Sequence, residues 1–80
     1  MSTKINEKIK VGAVFNKEGI CPQWFKWKDR RIEVKETTYT WKTIDGAAEV
    51  LHFSVVGESG SYELSFNKKT LVWMLEKADG

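Results

Sequence analysis

Eighty residues with 41% hydrophobic and 30% charged content and a net charge of +2 describe one folded domain, too apolar for a disordered segment and only mildly basic. A single cysteine, Cys21, excludes an internal disulfide, and no run reaches the roughly 18 apolar residues of a helical membrane span. The opening Met-Ser-Thr-Lys-Ile-Asn-Glu-Lys lacks the apolar stretch of a secretory signal, so a cytoplasmic protein without membrane association is expected. The charge is uneven, +5 over residues 1–42 and −3 over residues 43–80.

Along the chain, large apolar residues recur at every second position: Phe25/Trp27, Ile32/Val34, Tyr39/Trp41, Leu51/Phe53/Val55, Tyr62/Leu64/Phe66 and Leu71/Trp73/Leu75. A period of two belongs to strands with one buried face. The spacing predicts six strands near 8–15, 23–28, 31–43, 48–56, 61–67 and 70–76, with 1–7 and 78–80 as frayed ends. For 70–78 a helix is the alternative, since Leu71, Met74, Leu75 and Ala78 also fit helical spacing and Asn67 or Thr70 suits a cap.

Facing residues of a hairpin must share a side, so each turn can be tested by its register. A turn at Asp29-Arg30 sets Trp27 opposite Ile32 and Phe25 opposite Val34, with Lys26 opposite Glu33 on the other face. A three-residue loop, Ile44-Asp45-Gly46, sets Tyr39 opposite Leu51. The loop 57–60 brings Val55 over Tyr62 and Phe53 over Leu64, and the loop 67–70 brings Phe66 over Leu71. Apolar parity changes within 31–43, from even at Ile32 and Val34 to odd at Tyr39 and Trp41, which requires a bulge near residues 35–38. The expected fold is all-β: a six-stranded antiparallel meander curled into a small open barrel of SH3-like size. Trp27, Trp41 and Trp73 are expected to be buried in it, with Trp24 more exposed or else covered by Ile5 and Ile9.

From Pro22 onward the chain resembles a group of small bacterial domains of unknown function whose pattern opens Pro-x-x-Phe-x-Trp-x-x-Arg-x-x-x-Val. Pro22, Phe25, Trp27, Arg30 and Val34 match it here, followed by Trp41, Phe53-x-Val55, Tyr62-x-Leu64 and a closing Trp73-x-Leu75. Asp29 stands where members commonly carry Gly before the Arg. The resemblance implies a compact β-domain and no particular reaction.

Few residues are left for chemistry. One Cys21 and one His52 do not make a metal set, and nothing in the sequence brings them together as nucleophile and base. Glu33, Glu36, Glu49 and Glu63 alternate with core positions and are expected to face water. No enzyme activity, cofactor or metal is expected. Two surfaces remain. Trp24 has the opposite parity to Phe25 and Trp27 and is flanked by Lys26, Lys28, Arg31 and Lys35, a combination suited to stacking a base and holding phosphate. Val72 and Met74, with Val50 and Val56, form reverse-face apolar surface suited to a protein partner or a second copy of the chain. The favoured expectation is a non-enzymatic interaction module, and the alternative is weak single-stranded nucleic-acid binding through the Trp24 face. Glu33 or Glu36 interrupting that face would favour the protein partner.

Overall fold

The computed structural model describes residues 3–17 and 19–79. Seven strands, β1 (Thr3–Asn16), β2 (Gly19–Trp27), β3 (Arg30–Glu33), β4 (Glu36–Asp45), β5 (Ala48–Val56), β6 (Ser61–Asn67) and β7 (Val72–Asp79), form one antiparallel sheet ordered β3-β2-β1-β7-β6-β5-β4. Among the described residues there is no helix, which settles 72–79 as strand. The six-strand count is corrected to seven because the stretch 31–43 is cut at Val34-Lys35. Its two pieces lie at opposite edges of the sheet. The Val34 N–H donates to the Gln23 carbonyl of β2 at 2.9 Å and the next N–H, of Lys35, to the Val56 carbonyl of β5 at 2.8 Å, so the chain crosses from one edge hairpin to the other. A register shift between Thr37 and Tyr39 falls inside the expected 35–38 window.

The first and last strands pair in the middle of the sheet, Thr3 with Ala78 and Ile9 with Trp73. Thr3, Lys4 and Glu7 pair with Ala78, Lys77 and Leu75, and Asp79 pairs with Ser61 of β6, so 3–7 and 78–79 are strand and not frayed ends; Met1, Ser2 and Gly80 lie outside the described residues. β3 and β4 are the two edges and do not pair, so the sheet is not closed. The rings of Phe25 in β2 and Tyr62 in β6 nevertheless meet edge-to-face at 5.1 Å.

The inner face buries Phe25, Phe53, Val55, Leu64, Phe66 and Leu75, with Ile5, Ile9, Val11, Trp27, Ile32, Tyr62 and Trp73 packed around them. Ile5 and Ile9 thus serve the core and do not cover Trp24. All four tryptophans are only half-buried, against the expectation of three in the core. Trp27 and Trp73 do pack on the core cluster. Trp41 faces the other way.

The turns explain these shifts. Between β2 and β3 the turn is Lys28-Asp29, both left-handed at φ 52° and 60°, as a type I′ turn demands. It pairs Phe25 with Ile32, Lys26 with Arg31 and Trp24 with Glu33, two residues from the expected register. A shift of two keeps every side chain on its face. Between β4 and β5 the turn is Gly46-Ala47, with Gly46 at φ 63°. Trp41 now pairs with His52 and Tyr39 with Ser54, so both aromatics leave the core face, and Thr40 and Lys42 oppose Phe53 and Leu51 instead. The β5–β6 pairing follows expectation, Val55 with Tyr62 and Phe53 with Leu64. In the β6–β7 loop the Asn67 side chain accepts the N–H groups of Lys69 and Thr70 at 2.9 and 3.0 Å, and Leu71 turns left-handed at φ 61°. Phe66 therefore meets Trp73, and Leu71 is expelled from the core.

Candidate functional site

Two surfaces of the sheet carry chemistry that the core does not need. The first is the outer face of β3, β2 and β1. Register aligns Arg31, Lys26 and Lys10 side by side across the three strands, and the neighbouring row is Glu33, Trp24 and Gly12. The Trp24 indole lies against Gly12, and the Arg31 guanidinium sits 4.6 Å from its ring centroid. Arg31 also bonds the Glu33 carboxylate at 2.5 Å. Lys8, Lys10, Lys26, Lys28 and Asp29 border a polar depression of about 500 Å³. Lys28 is turned over the Trp27 ring at 4.9 Å. Of the residues expected here, Trp24, Lys26, Lys28 and Arg31 come together. Lys35 does not belong to the register of this face, since it follows β3 and its backbone is bonded to β5. Lys8 and Lys10 join the set although sequence reasoning did not include them. Their signal was present, a Lys-Ile-Lys alternation, but without a partner for β1 it could not be placed.

Directly opposed like charges destabilise a sheet. Lys10 and Lys26 oppose one another in the β1–β2 ladder, and among the described residues neither has an ion pair.

The second surface is the β4 edge. The two edges of the open sheet differ. β3 has four residues, three of them charged, and ends against the crossover; β4 has ten, Glu-Thr-Thr-Tyr-Thr-Trp-Lys-Thr-Ile-Asp, rich in strand-forming types, with no strand on its far side. Tyr39 and Ile44 are 65% and 70% exposed. Tyr39, Trp41 and His52 form an aromatic file on the outer face, with centroid spacings of 5.4 and 5.1 Å. Thr40 and Lys42 front a cavity of about 410 Å³ lined also by Gly19, Ile20, Leu51 and Phe53 and, from β4 and β5, by Trp41 and His52. A second cleft of about 640 Å³ shares Gly19, Ile20 and Leu51 and runs to Phe15, Phe66 and Leu71. Phe15 and Leu71 are 67% and 69% exposed.

Val72 and Met74 are on the reverse face, as expected, but half-buried among Asn67, Ser65 and Lys8, so they make no prominent apolar patch. Cys21 accepts a contact from Gln23 at 3.5 Å on β2. His52 stacks on Trp41, and its Nε2 lies 2.8 Å from the Thr43 hydroxyl. No three His, Cys, Asp or Glu side chains among the described residues converge as metal ligands. Among the described residues, Glu49 is held below its ordinary range by the hydrogen bond from Lys68 at 3.1 Å, with the charges of Lys42 and Lys68 adding to it.

Comparisons with protein families, curated proteins and solved structures gave no match to this chain.

Proposed function

We propose that the chain is a non-enzymatic interaction module, a small open barrel in architecture, that docks an extended segment of a protein at its β4 edge. The observation that carries the reading is the inequality of the two edges. Exposed edge strands are commonly short, charged or covered, as β3 is, because unpaired N–H and C=O groups recruit other strands. β4 is long and flanked by exposed Tyr39 and Ile44. Strand addition is an established mode of peptide recognition, with main-chain hydrogen bonds supplying affinity and alternate side chains selectivity.

The experiment is a comparison of wild type with Thr40→Pro in partner capture from cell extract. The two-residue turn makes Asp45 and Ala48 a hydrogen-bonded pair, and alternation then makes Trp41 and His52 another. The Thr40 N–H therefore points away from β5, and proline there removes an edge donor without breaking the β4–β5 ladder. Partner capture by wild type and its loss in Thr40→Pro, with unchanged circular dichroism, is the expected result. Capture that survives the proline would refute edge docking.

A second reading is supported by the row Arg31, Lys26 and Lys10: weak binding of single-stranded nucleic acid through phosphate contacts. Glu33 interrupts this face, and Trp24 is already engaged by Gly12 and Arg31, which argues against base stacking. On this reading Lys10→Ala and Lys26→Ala each reduce the salt dependence of oligonucleotide binding, while Trp24→Ala does not. Affinity stays no tighter than about 10 μM at physiological salt, within the non-specific range.

A further inference from the structure

Resting on the edge-docking reading, we infer the chemistry of the segment that β4 receives: an antiparallel strand with an acidic residue opposite Lys42 and, two residues later, an apolar residue opposite Thr40 that enters the cavity over Ile20, Leu51 and Phe53.

The alternation set by the Gly46-Ala47 turn gives Thr40, Lys42 and Ile44 the backbone groups that face outward. Thr40 and Lys42 also share the inner side, and both line the cavity of about 410 Å³. In an antiparallel partner the residue facing position 42 precedes the one facing position 40, so the order is acidic, any, apolar. The cavity is bordered on its far side by Gly19 and Ile20 of β2, beyond the reach of β3, which pairs only with residues 24–27. It thus opens between two stretches of strand that both lack a neighbour on that side.

Charge decides between a foreign segment and a second copy. The bulge at Thr37/Tyr39 leaves 39–45 as the regular part of β4. Self-pairing over that whole stretch centres on Lys42 and sets it against its own counterpart, an unfavourable opposition. Lys42 is also a cation without an ion pair among the described residues, because the carboxylate it acts on, Glu49, is bonded to Lys68 at 3.1 Å. An acidic side chain opposite Lys42 supplies the missing partner, and an apolar one fills the space beside Leu51.

The probes are two synthetic peptides, Lys-Thr-Thr-Glu-Val-Leu-Thr and the same sequence with Lys in place of Glu, titrated against the full chain by amide chemical shift. Wild type is expected to prefer the Glu peptide by about fivefold, the scale of exchanging a favourable for an unfavourable cross-strand charge pair. Lys42→Glu is expected to reverse the preference, and Lys42→Ser, the milder variant, to abolish it. Hydrogen exchange at Thr40, Lys42 and Ile44 is expected to slow on binding. Equal affinity for both peptides in wild type would overturn the proposal. So would a wild-type dimer in sedimentation that Thr40→Pro dissolves, since the occupant would then be a second copy. If the peptides fail while partner capture remains sensitive to Thr40→Pro, the assigned partner chemistry falls and edge docking stands; insensitivity to the proline removes both.

Discussion

Trp24 lies against Gly12, its direct opposite on β1, so closely that a single methyl group added at Gly12 would overlap the indole. The absence of a side chain at Gly12 is what lets Trp24 lie down on the outer face instead of standing in solvent. Gly12→Ala is therefore expected to lift the indole and cost about 1–3 kcal/mol, the usual range for overpacking. Urea unfolding with tryptophan emission reads both effects; unchanged stability and emission would mean that the indole does not rest there.

Phe25 and Trp41 separate the inner face from the outer. Phe25 is 0% exposed and meets Tyr62, so Phe25→Ala is expected to cost about 3–5 kcal/mol, or to unfold the domain. Trp41 stacks on His52 outside the core, and Trp41→Ala is expected to cost no more than about 1.5 kcal/mol. Denaturation midpoints at constant slope provide the comparison. Equal losses would put Trp41 back in the core.

Leu71 holds a left-handed backbone at φ 61° while its side chain is largely exposed. Glycine adopts that conformation freely, whereas a leucine side chain is strained there by about 1–2 kcal/mol. Leu71→Gly is expected to raise Tm by several degrees, on the scale of about 4–8 °C per kcal/mol for a domain of this size. A lower Tm would show that contacts of Leu71 with the Phe15 cleft outweigh the strain.

Glu49 ties stability to acid pH. Its folded pKa lies below the ordinary value of 4.5, chiefly through the Lys68 hydrogen bond and then through the charge of Lys42. A depressed carboxylate stabilises the fold fully above its unfolded value, and that stabilisation is lost as pH falls through the folded value. Stability is thus expected to decline as pH drops below about 4.5, the unfolded carboxylate value. Lys68→Met is expected to raise the Glu49 pKa and flatten that acid limb. Carboxyl-resolved NMR titration gives the pKa directly, and an unmoved value in the variant would dissociate Lys68 from the effect.

Alternation in the sequence was enough to determine the all-β class, the core face of β2, β5 and β6, and the outward placement of Trp24, Lys26 and Arg31. Parity is a local property, and it survives a register error of two: the β2–β3 and β6–β7 pairings both differ from expectation by two residues, yet core still meets core, Phe25 opposing Ile32 in place of Val34 and Phe66 opposing Trp73 in place of Leu71. It does not survive an odd difference. At the β4–β5 turn the observed pairing differs by three, and Tyr39 and Trp41 change sides. Strand neighbours were decided only by the tertiary structure. β1 and β7 pair with each other in the middle of the sheet, and the crossover at Val34-Lys35 sends β3 and β4 to opposite edges, which leaves β4 without an outer neighbour. The physical reason is that a period of two records which side of a strand meets apolar surroundings, whereas hydrogen-bond partners are chosen by how the whole sheet folds to cover Phe25, Leu64 and Leu75.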